Sequence, residues 1–229
     1  MTEKKFLNNL KSIVGNKNFL TSESDIAPYK NGWRTQSGEC KGVIIPSTLL
    51  EMWKVLKILV KNNKIILLQA SNTSLTGGST PNGNYDRDLF IINTLKLNNI
   101  ILINKTKQVL AFPGSTLYSL EKKLKKYNRS PHSEIGSSCI GASIVGGVCN
   151  NSGGALIKRG PAFTELSLFA KVNKKGELQL VNNLDINLGN SPESILKNLD
   201  KGKVSQDKLF KTRRKASSLD YKNEIKKVN

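Results

Sequence analysis

The chain has 229 residues, of which 38% are hydrophobic and 6% aromatic, which suffices for a core built mainly from Ile, Leu and Val. No apolar stretch approaches the roughly 18–20 residues of a membrane-spanning helix, and the N-terminus lacks the features of a secretory signal, so we expect a cytoplasmic protein. The net charge of +19 invites a nucleic-acid or anionic-lipid partner, but the excess is mostly Lys and accompanies abundant Asn and Ile, the pattern of A/T-rich coding.

The first predicted element is a helix in "EKKFLNNLKSIVG", which ends at Gly15. Its apolar residues recur at helical spacing and share one face: Phe6, Leu7, Leu10, Ile13 and Val14. The following "SDIAPYKNGW" predicts a short, turn-rich connector rather than a regular element.

A strand, a helix and a second strand come next. Val43–Ile45 predicts a short strand that Pro46 ends, and Thr48 with Glu51 matches a capping box for a helix to about Asn62. "KIILLQA" predicts the second strand, and its continuous apolar run suggests burial on both faces. This order at this spacing predicts a βαβ unit with parallel strands.

Shorter elements fill the second half of the chain. "DLFIINT", "IILIN" and "QVLAFPG" predict strands, the last two joined as a hairpin, and "STLYSLEKKLKKYNR" predicts a helix whose buried face carries Leu117, Leu120 and Leu124. "TELSLFAKVN" and "ELQLVN" predict a second hairpin around Lys174–Gly176, and "SPESILKNLDKGK" a short helix. The charged remainder predicts weak order.

Two segments rich in Gly, Ser and Thr interrupt this pattern, at 69–88 and at 135–154. The first is far longer than a hairpin needs, and its glycines and hydroxyls suit a phosphate cradle, although a plain surface loop accounts for it equally well. The second keeps Ile140, Ile144 and Val145 among its small residues, which suggests burial and close backbone approach. Together the two segments could close over one extended ligand that carries a pyrophosphate.

The remaining reactive side chains form no recognisable site. Cys40, Cys139 and Cys149 have no metal-ligand spacing with the single histidine, His132, and we interpret them as reduced structural thiols. We expect His132 to be structural or solvent-facing rather than a base. Arg159 suits a phosphate partner and a surface role about equally. The basic tail carries no arginine stripe with interleaved aromatics, so no specific nucleic-acid partner is expected, whereas Lys suffices for an anionic lipid surface.

Four motifs carry a resemblance to a known family: "QASNTSLTGGSTPNG", "FPGST", "PHSEIGSSCIGASIVGGVCNNSGG" and "RGPAFTELSLFAKV". From about Lys5 to about Leu199 the chain resembles the FAD-binding part of the quinone-dependent D-lactate dehydrogenases of bacteria. The resemblance implies an α+β protein with two small α/β subdomains of the vanillyl-alcohol-oxidase (PCMH-type) FAD-binding fold, truncated at its C-terminus. The expected domains are a helical lead (1–36), the FAD-binding domain (37–199) and a basic, weakly ordered tail (200–229).

The resemblance also implies site residues. The first segment would wrap the FAD pyrophosphate, and the positions that match are Ala70, Ser71, Asn72, Thr73, Ser74, Gly78 and Ser79. The second would reach the flavin through Gly136, Ser143 and Gly153. The family usually has Gly where this chain has Ser74; if that position needs a positive φ, Ser costs about 1–2 kcal/mol there, which the unusual Gly77 would partly relieve. Because His132 lies outside the first segment, we expect non-covalent FAD.

The implied function is respiratory. In the family a hydride passes from C2 of D-lactate to the flavin, which gives pyruvate, and the electrons pass to a membrane quinone; the expected place is the cytoplasm or, as a peripheral protein, the cytoplasmic face of the inner membrane. Catalytic residues are not identified in this chain and no metal is expected. Two alternatives stay open: a truncated, inactive FAD-binding remnant, and a basic lipid- or nucleic-acid-binding protein.

Overall fold

A computed structural model describes residues 2–34, 36–131, 136–150, 152 and 166–204. These residues divide into two compact units: the first comprises 2–97, 169–181 and 188–204, and the second the described parts of 98–168 and 182–187. His132, Gly153, Arg159 and the tail from 205 lie outside the described residues. The elements in chain order are α1 (Glu3–Val14), β1 (Phe19–Leu20), α2 (Glu23–Lys30), β2 (Gly42–Ile44), α3 (Leu49–Lys61), β3 (Ile65–Gln69), β4 (Leu89–Asn93), β5 (Ile100–Ile103), β6 (Gln108–Ala111), α4 (Leu117–Lys125), α5 (Ile144–Cys149), β7 (Leu168–Val172), β8 (Leu178–Asn182) and α6 (Pro192–Asp200).

The first unit is organised by a four-stranded sheet in the order β1-β2-β4-β3. Strands β2 and β3 both run parallel to β4, and β1 pairs antiparallel with β2. The predicted βαβ unit is therefore confirmed, with β4 inserted between its two strands. Because all three parallel strands end on the same edge of the sheet, the segments that follow them start close together.

Side-chain alternation along β4 divides the core of this unit between the two faces of the sheet. Phe90 and Ile92 pack on one face, where α1 and α3 supply the other buried residues: Phe6, Leu10, Val14, Val55 and Leu59. Leu89 and Ile91 pack on the opposite face, with Val43 and with Ile26 of α2. The predicted apolar face of α1 is thus confirmed.

Two sequence predictions in this unit are wrong. Strand β3, expected to be buried on both faces, lies at the edge of the sheet with Leu68 51% exposed, and the strand buried throughout is β4. The expected connector at 24–33 contains helix α2. Ser22 precedes that helix in an extended conformation, Glu23 and Asp25 favour its first turn, and burial of Ile26 outweighs the disfavoured Pro28.

The start of α3 is capped twice. The hydroxyl of Thr48 accepts a hydrogen bond from the N–H of Glu51 at 3.1 Å, as the capping box predicts. The Glu51 carboxylate accepts from the N–H of Ser47 at 2.7 Å, one residue before the cap. The carboxylate of Asp200, at the end of α6, accepts from the next two N–H groups, those of Leu49 at 2.8 Å and Leu50 at 3.1 Å.

The second unit has the predicted hairpin and helix. Strands β5 and β6 pair antiparallel, with Ile100 opposite Ala111. Helix α4 buries the predicted face, and Leu120 and Leu124 form a small core with Ile100. Two predicted elements belong mainly to the first unit: the hairpin around Lys174–Gly176 is confirmed as the two-stranded sheet β7-β8, and the last helix as α6. No helix in the described ranges is long and apolar enough to span a bilayer.

Candidate functional site

The first glycine-rich segment leaves the sheet at the carboxyl end of β3. Gln69, the last residue of that strand, is 2% exposed, and its side-chain amide donates to the carbonyl of Tyr29 at 3.0 Å and to the carbonyl of Ser79 at 2.9 Å. Its own carbonyl accepts from the N–H of Thr94 at 2.8 Å, just after β4. The start and the end of the loop are thus held against the sheet and against the end of α2.

Asn72 ties the loop together from within. Its backbone is left-handed, with φ of 53°. Its side-chain oxygen accepts from the hydroxyl of Ser79 at 2.7 Å and from the hydroxyl of Thr80 at 2.8 Å, and its side-chain nitrogen donates to the carbonyl of Asn31 at 2.8 Å. A left-handed Asn is tolerated more readily than most residues, so the network costs little backbone strain.

The backbone amides inside this closed loop are left without acceptors. None of the N–H groups from Asn72 to Ser79 donates to an acceptor in the part of the chain that the structure describes. Asn72, Thr73 and Ser74 are nevertheless half-buried, and the segment 69–80 contains no carboxylate. Half-buried N–H groups without partners are costly, and they are the donors that phosphate oxygens take in glycine-rich loops.

The left-handed positions of the loop are Asn72, Gly77 and Gly83, not Ser74. Gly77 has φ of 69°, whereas Ser74 is not among the residues with positive φ. The strain considered for Ser74 therefore does not arise. A Cβ on Gly77 would come within 1.5 Å of the side-chain oxygen of Gln36, so glycine serves both the turn and the close contact here.

The segment that backs the loop carries a buried cation. Lys30, at the end of α2, is 9% exposed, and its ammonium bonds Glu23 and Glu39, each at 2.7 Å. These two hydrogen bonds raise the pKa of Lys30 above its ordinary value. Burial likewise raises the pKa of the neighbouring Cys40 thiol. Lys30 is thus committed to two carboxylates and serves the fold rather than an anion.

In the second unit, the second glycine-rich segment pairs with the turn before α4. The N–H of Leu117 donates to the carbonyl of Ala142 at 2.9 Å, and the N–H of Ile144 to the carbonyl of Ser115 at 2.8 Å. Thr116 and Ser143, which face each other in this short pairing, cap α4 and α5. The motifs "FPGST" and "GASIVGG" are therefore neighbours within this unit.

Several backbone donors in the described part of the second segment are satisfied within it. The Ser143 hydroxyl, 7% exposed, accepts from the N–H of Gly146 at 3.0 Å, and a Cβ on Gly146 would come within 2.7 Å of that oxygen. The expected burial of the apolar residues here is wrong: Ile140 is 39% exposed and Ile144 is half-buried. The buried residue pair is instead Ala142 and Ser143, because the backbone pairing with the turn covers them.

The predicted cofactor residues thus occupy two places. The loop of the first unit contains Ala70, Ser71, Asn72, Thr73, Ser74, Gly78 and Ser79. In the second unit, Gly136 begins a 3₁₀ turn and Ser143 caps α5, while Gly153 lies outside the described residues. That both places hold a single FAD stays a prediction. Sequence reasoning missed Gln69 and Asn31, although a lone Gln at the end of an apolar strand is a signal for the first of them.

The chemistry of the loop fits the diphosphate of a dinucleotide: unpaired N–H groups, hydroxyls and no carboxylate. Among the described residues no group of three or more His, Cys, Asp or Glu could hold a metal ion. A family model described as FAD binding domain matches residues 40–179. The chain therefore belongs to this family of FAD-binding domains.

Several of its sequence relatives are quinone-dependent D-lactate dehydrogenases. The chain is 53% identical over 226 residues to the quinone-dependent D-lactate dehydrogenase of Escherichia coli (strain K12), a match that covers 98% of this chain and 40% of that protein. It is 52% identical over 200 residues to the same enzyme of Haemophilus influenzae, covering 87% of this chain and 36% of that one. The chain thus spans about 40% of the length of the first of these relatives. The recognised family is confirmed.

Solved structures agree on the fold. Alkyldihydroxyacetonephosphate synthase matches with a TM-score of 0.66 at 17% identity, covering 82% of this chain and 37% of that one. p-Cresol methylhydroxylase matches with a TM-score of 0.59 at 17% identity, covering 84% of this chain and 38% of that one. The expected α+β, PCMH-type FAD-binding fold is therefore confirmed.

Proposed function

We propose that this chain binds FAD non-covalently and forms the FAD-binding part of an oxidoreductase that oxidises D-lactate to pyruvate and passes the electrons to a membrane quinone. The observation that carries the cofactor assignment is the run of N–H groups from Asn72 to Ser79 that have no acceptor among the described residues, at its start in the half-buried residues Asn72, Thr73 and Ser74. The relation to quinone-dependent D-lactate dehydrogenases supports the substrate and the acceptor.

In this proposal the chain's own groups bind FAD and orient it. The N–H groups of the first loop take the pyrophosphate oxygens, and the hydroxyls of Ser71, Thr73 and Ser74 add donors. In the second unit, Gly136, Ser143 and Gly153 approach the flavin. FAD, when bound, supplies the acceptor for the two electrons of a 2-hydroxy acid. Catalytic side chains are not assigned to this chain.

Further parts of the proposal concern boundaries and place. We keep 37–199 as the FAD-binding domain, 1–36 as a helical lead and 200–229 as a basic tail. A peripheral position on an anionic membrane surface is supported by the charge of α4 and the turn after it. This stretch has one exposed acid, Glu121, and five exposed basic residues: Lys122, Lys123, Lys125, Lys126 and Arg129. Binding that falls with salt on anionic but not neutral vesicles tests that placement.

The test of function has two steps. The purified chain is titrated with FAD and its visible spectrum recorded; we expect saturable uptake that gel filtration retains but denaturation releases, whereas no uptake refutes the assignment. D-lactate is then added without oxygen to the loaded chain, with L-lactate as the control. Bleaching of the flavin by the D isomer alone supports turnover by this chain, and persistent oxidised flavin identifies a binding part without turnover.

A further inference from the structure

The side chain of Asn72 makes three hydrogen bonds that hold the candidate FAD loop in its conformation. The Asn72 oxygen accepts from Ser79 and Thr80 at 2.7 and 2.8 Å, and its nitrogen donates to the carbonyl of Asn31 at 2.8 Å. An amide oxygen has two lone pairs, and both are used here. The side chain of Asn72 is therefore occupied by the protein before any ligand arrives.

The loop that this side chain holds contains backbone N–H groups without hydrogen-bond acceptors in the described part of the chain. The backbone N–H groups from Asn72 to Ser79 have no acceptor within the described residues, while both ends of the run are fixed by the same amide. A loop held in this way keeps its donors in place without consuming them. Binding then costs less ordering entropy than it would in a loose loop.

The neighbouring segment holds the loop from outside. The Asn31 carbonyl that Asn72 bonds belongs to a turn in which Gly32 donates to Gln36 at 2.9 Å, and Gln36 lies against Gly77. A Cβ on Gly38, at the end of this segment, would come within 2.7 Å of Pro81. The bond from Asn72 thus joins the loop to a closely packed wall.

We propose that Asn72 is a positioning residue for the cofactor: it preorders the N–H donors of the loop for a pyrophosphate through Ser79, Thr80 and Asn31, and does not bind the pyrophosphate with its own side chain. This inference rests on the proposed function, because the ligand is the diphosphate of FAD. Thr80, 5% exposed and bonded to Asn72 through its hydroxyl, acts in the same network.

Coupling between Asn72 and Thr80 separates positioning from direct contact. Affinities are measured for FAD and for ADP, which carries the same pyrophosphate without the flavin. We expect Asn72→Ala to weaken both by a similar factor of roughly 10–100, and Thr80→Val, which keeps the buried volume, by roughly 3–10. The double variant should match Asn72→Ala within about twofold, because both changes break one network.

A matched control lies in the same loop. Asn84 is exposed and makes no side-chain hydrogen bond with the described residues, so Asn84→Ala should stay within about twofold of the wild type for both ligands. Effects of Asn72→Ala and Thr80→Val that multiply in the double variant overturn the inference, since they indicate independent contacts. So does a loss of FAD affinity without a loss of ADP affinity.

A ligand-free measurement keeps this inference separate from the proposed function. Heteronuclear ¹H–¹⁵N NOE values for the amides of Thr73 to Ser79 report their fast motion in the free chain. Wild type and Asn84→Ala should give values close to those of α3, and Asn72→Ala clearly lower ones; unchanged values in Asn72→Ala overturn the ordering role. A wild-type chain that takes up neither FAD nor ADP refutes the proposed function, and the NOE comparison still decides whether Asn72 orders the loop.

Discussion

Removing the Asp200 carboxylate should destabilise the first unit, although this residue lies far along the chain from the helix it caps. Asp200 accepts hydrogen bonds from the N–H groups of Leu49 and Leu50 at 2.8 and 3.1 Å, the first two of α3. Replacing a capping side chain by Ala costs about 0.5–2 kcal/mol, and loss of a negative charge near a helix N-terminus about 0.3–1 kcal/mol.

The exposure of the site decides which end of that range applies. Asp200 is half-buried, so water can reach the freed N–H groups in part and the full cost of two orphaned donors is not reached. We expect Asp200→Ala to lower the free energy of unfolding by about 1–2 kcal/mol. Asp200→Asn keeps one acceptor oxygen and should lose about half as much.

The assay is urea unfolding followed by the fluorescence of Trp53, which is 4% exposed in the core of the first unit. Trp33, the other of the two tryptophans, is 58% exposed and is replaced by Phe in every variant. Glu121→Ala, which removes an exposed acid from α4, is the control for the change in net charge. An Asp200→Ala curve within about 0.5 kcal/mol of that control would refute the reasoning.

Three further predictions concern single contacts. Gly77→Ala should lower the free energy of unfolding by about 1–2 kcal/mol, because alanine is strained in the left-handed backbone at this position. Adding Gln36→Ala should not restore that stability, since it removes only the steric contact with the new Cβ; urea unfolding curves equal to wild type would contradict this. Ser115→Ala removes a buried hydroxyl that donates to the carbonyl of Asn99 at 2.9 Å. Hydrogen exchange of the α4 amides should therefore be faster, by the factor that corresponds to a loss of about 1–2 kcal/mol in the free energy of opening. The pKa of Glu193 is lowered by its own backbone N–H, then by Lys57 and Trp53. The stability of the wild type should therefore fall as the pH drops below about 4.3, and should fall more steeply than that of Glu193→Gln. Parallel pH profiles of stability for the two proteins would contradict this.

Periodic elements could be predicted from the sequence because burial imposes the period. The face of α1, the face of α4 and both hairpins followed from the spacing of a few apolar residues. The errors arose where two explanations give the same pattern. A continuous apolar run fits a central strand and also an edge strand. The run in β3 therefore predicts burial on both faces, whereas the strand that is buried throughout is β4.

The composition of the candidate site could be predicted from the sequence, but its hydrogen-bond network could not. Glycines and hydroxyls between two strands indicated a cradle for an anion. Which backbone N–H groups stay unpaired depends on the left-handed turn at Asn72 and on carbonyls from Tyr29 and Asn31, some forty positions earlier in the chain. Nothing in the local pattern identifies those partners, because each contact is made by a common polar residue.

The measurement that bears most directly on the account is the ¹H–¹⁵N spectrum of the chain during a titration with FAD and, separately, with ADP. If the loop is the pyrophosphate cradle, both ligands shift the amide protons of Asn72 to Ser79 downfield as these acquire acceptors, while riboflavin, which has no phosphate, leaves them unchanged. Saturable FAD binding with those amides unmoved would contradict the account.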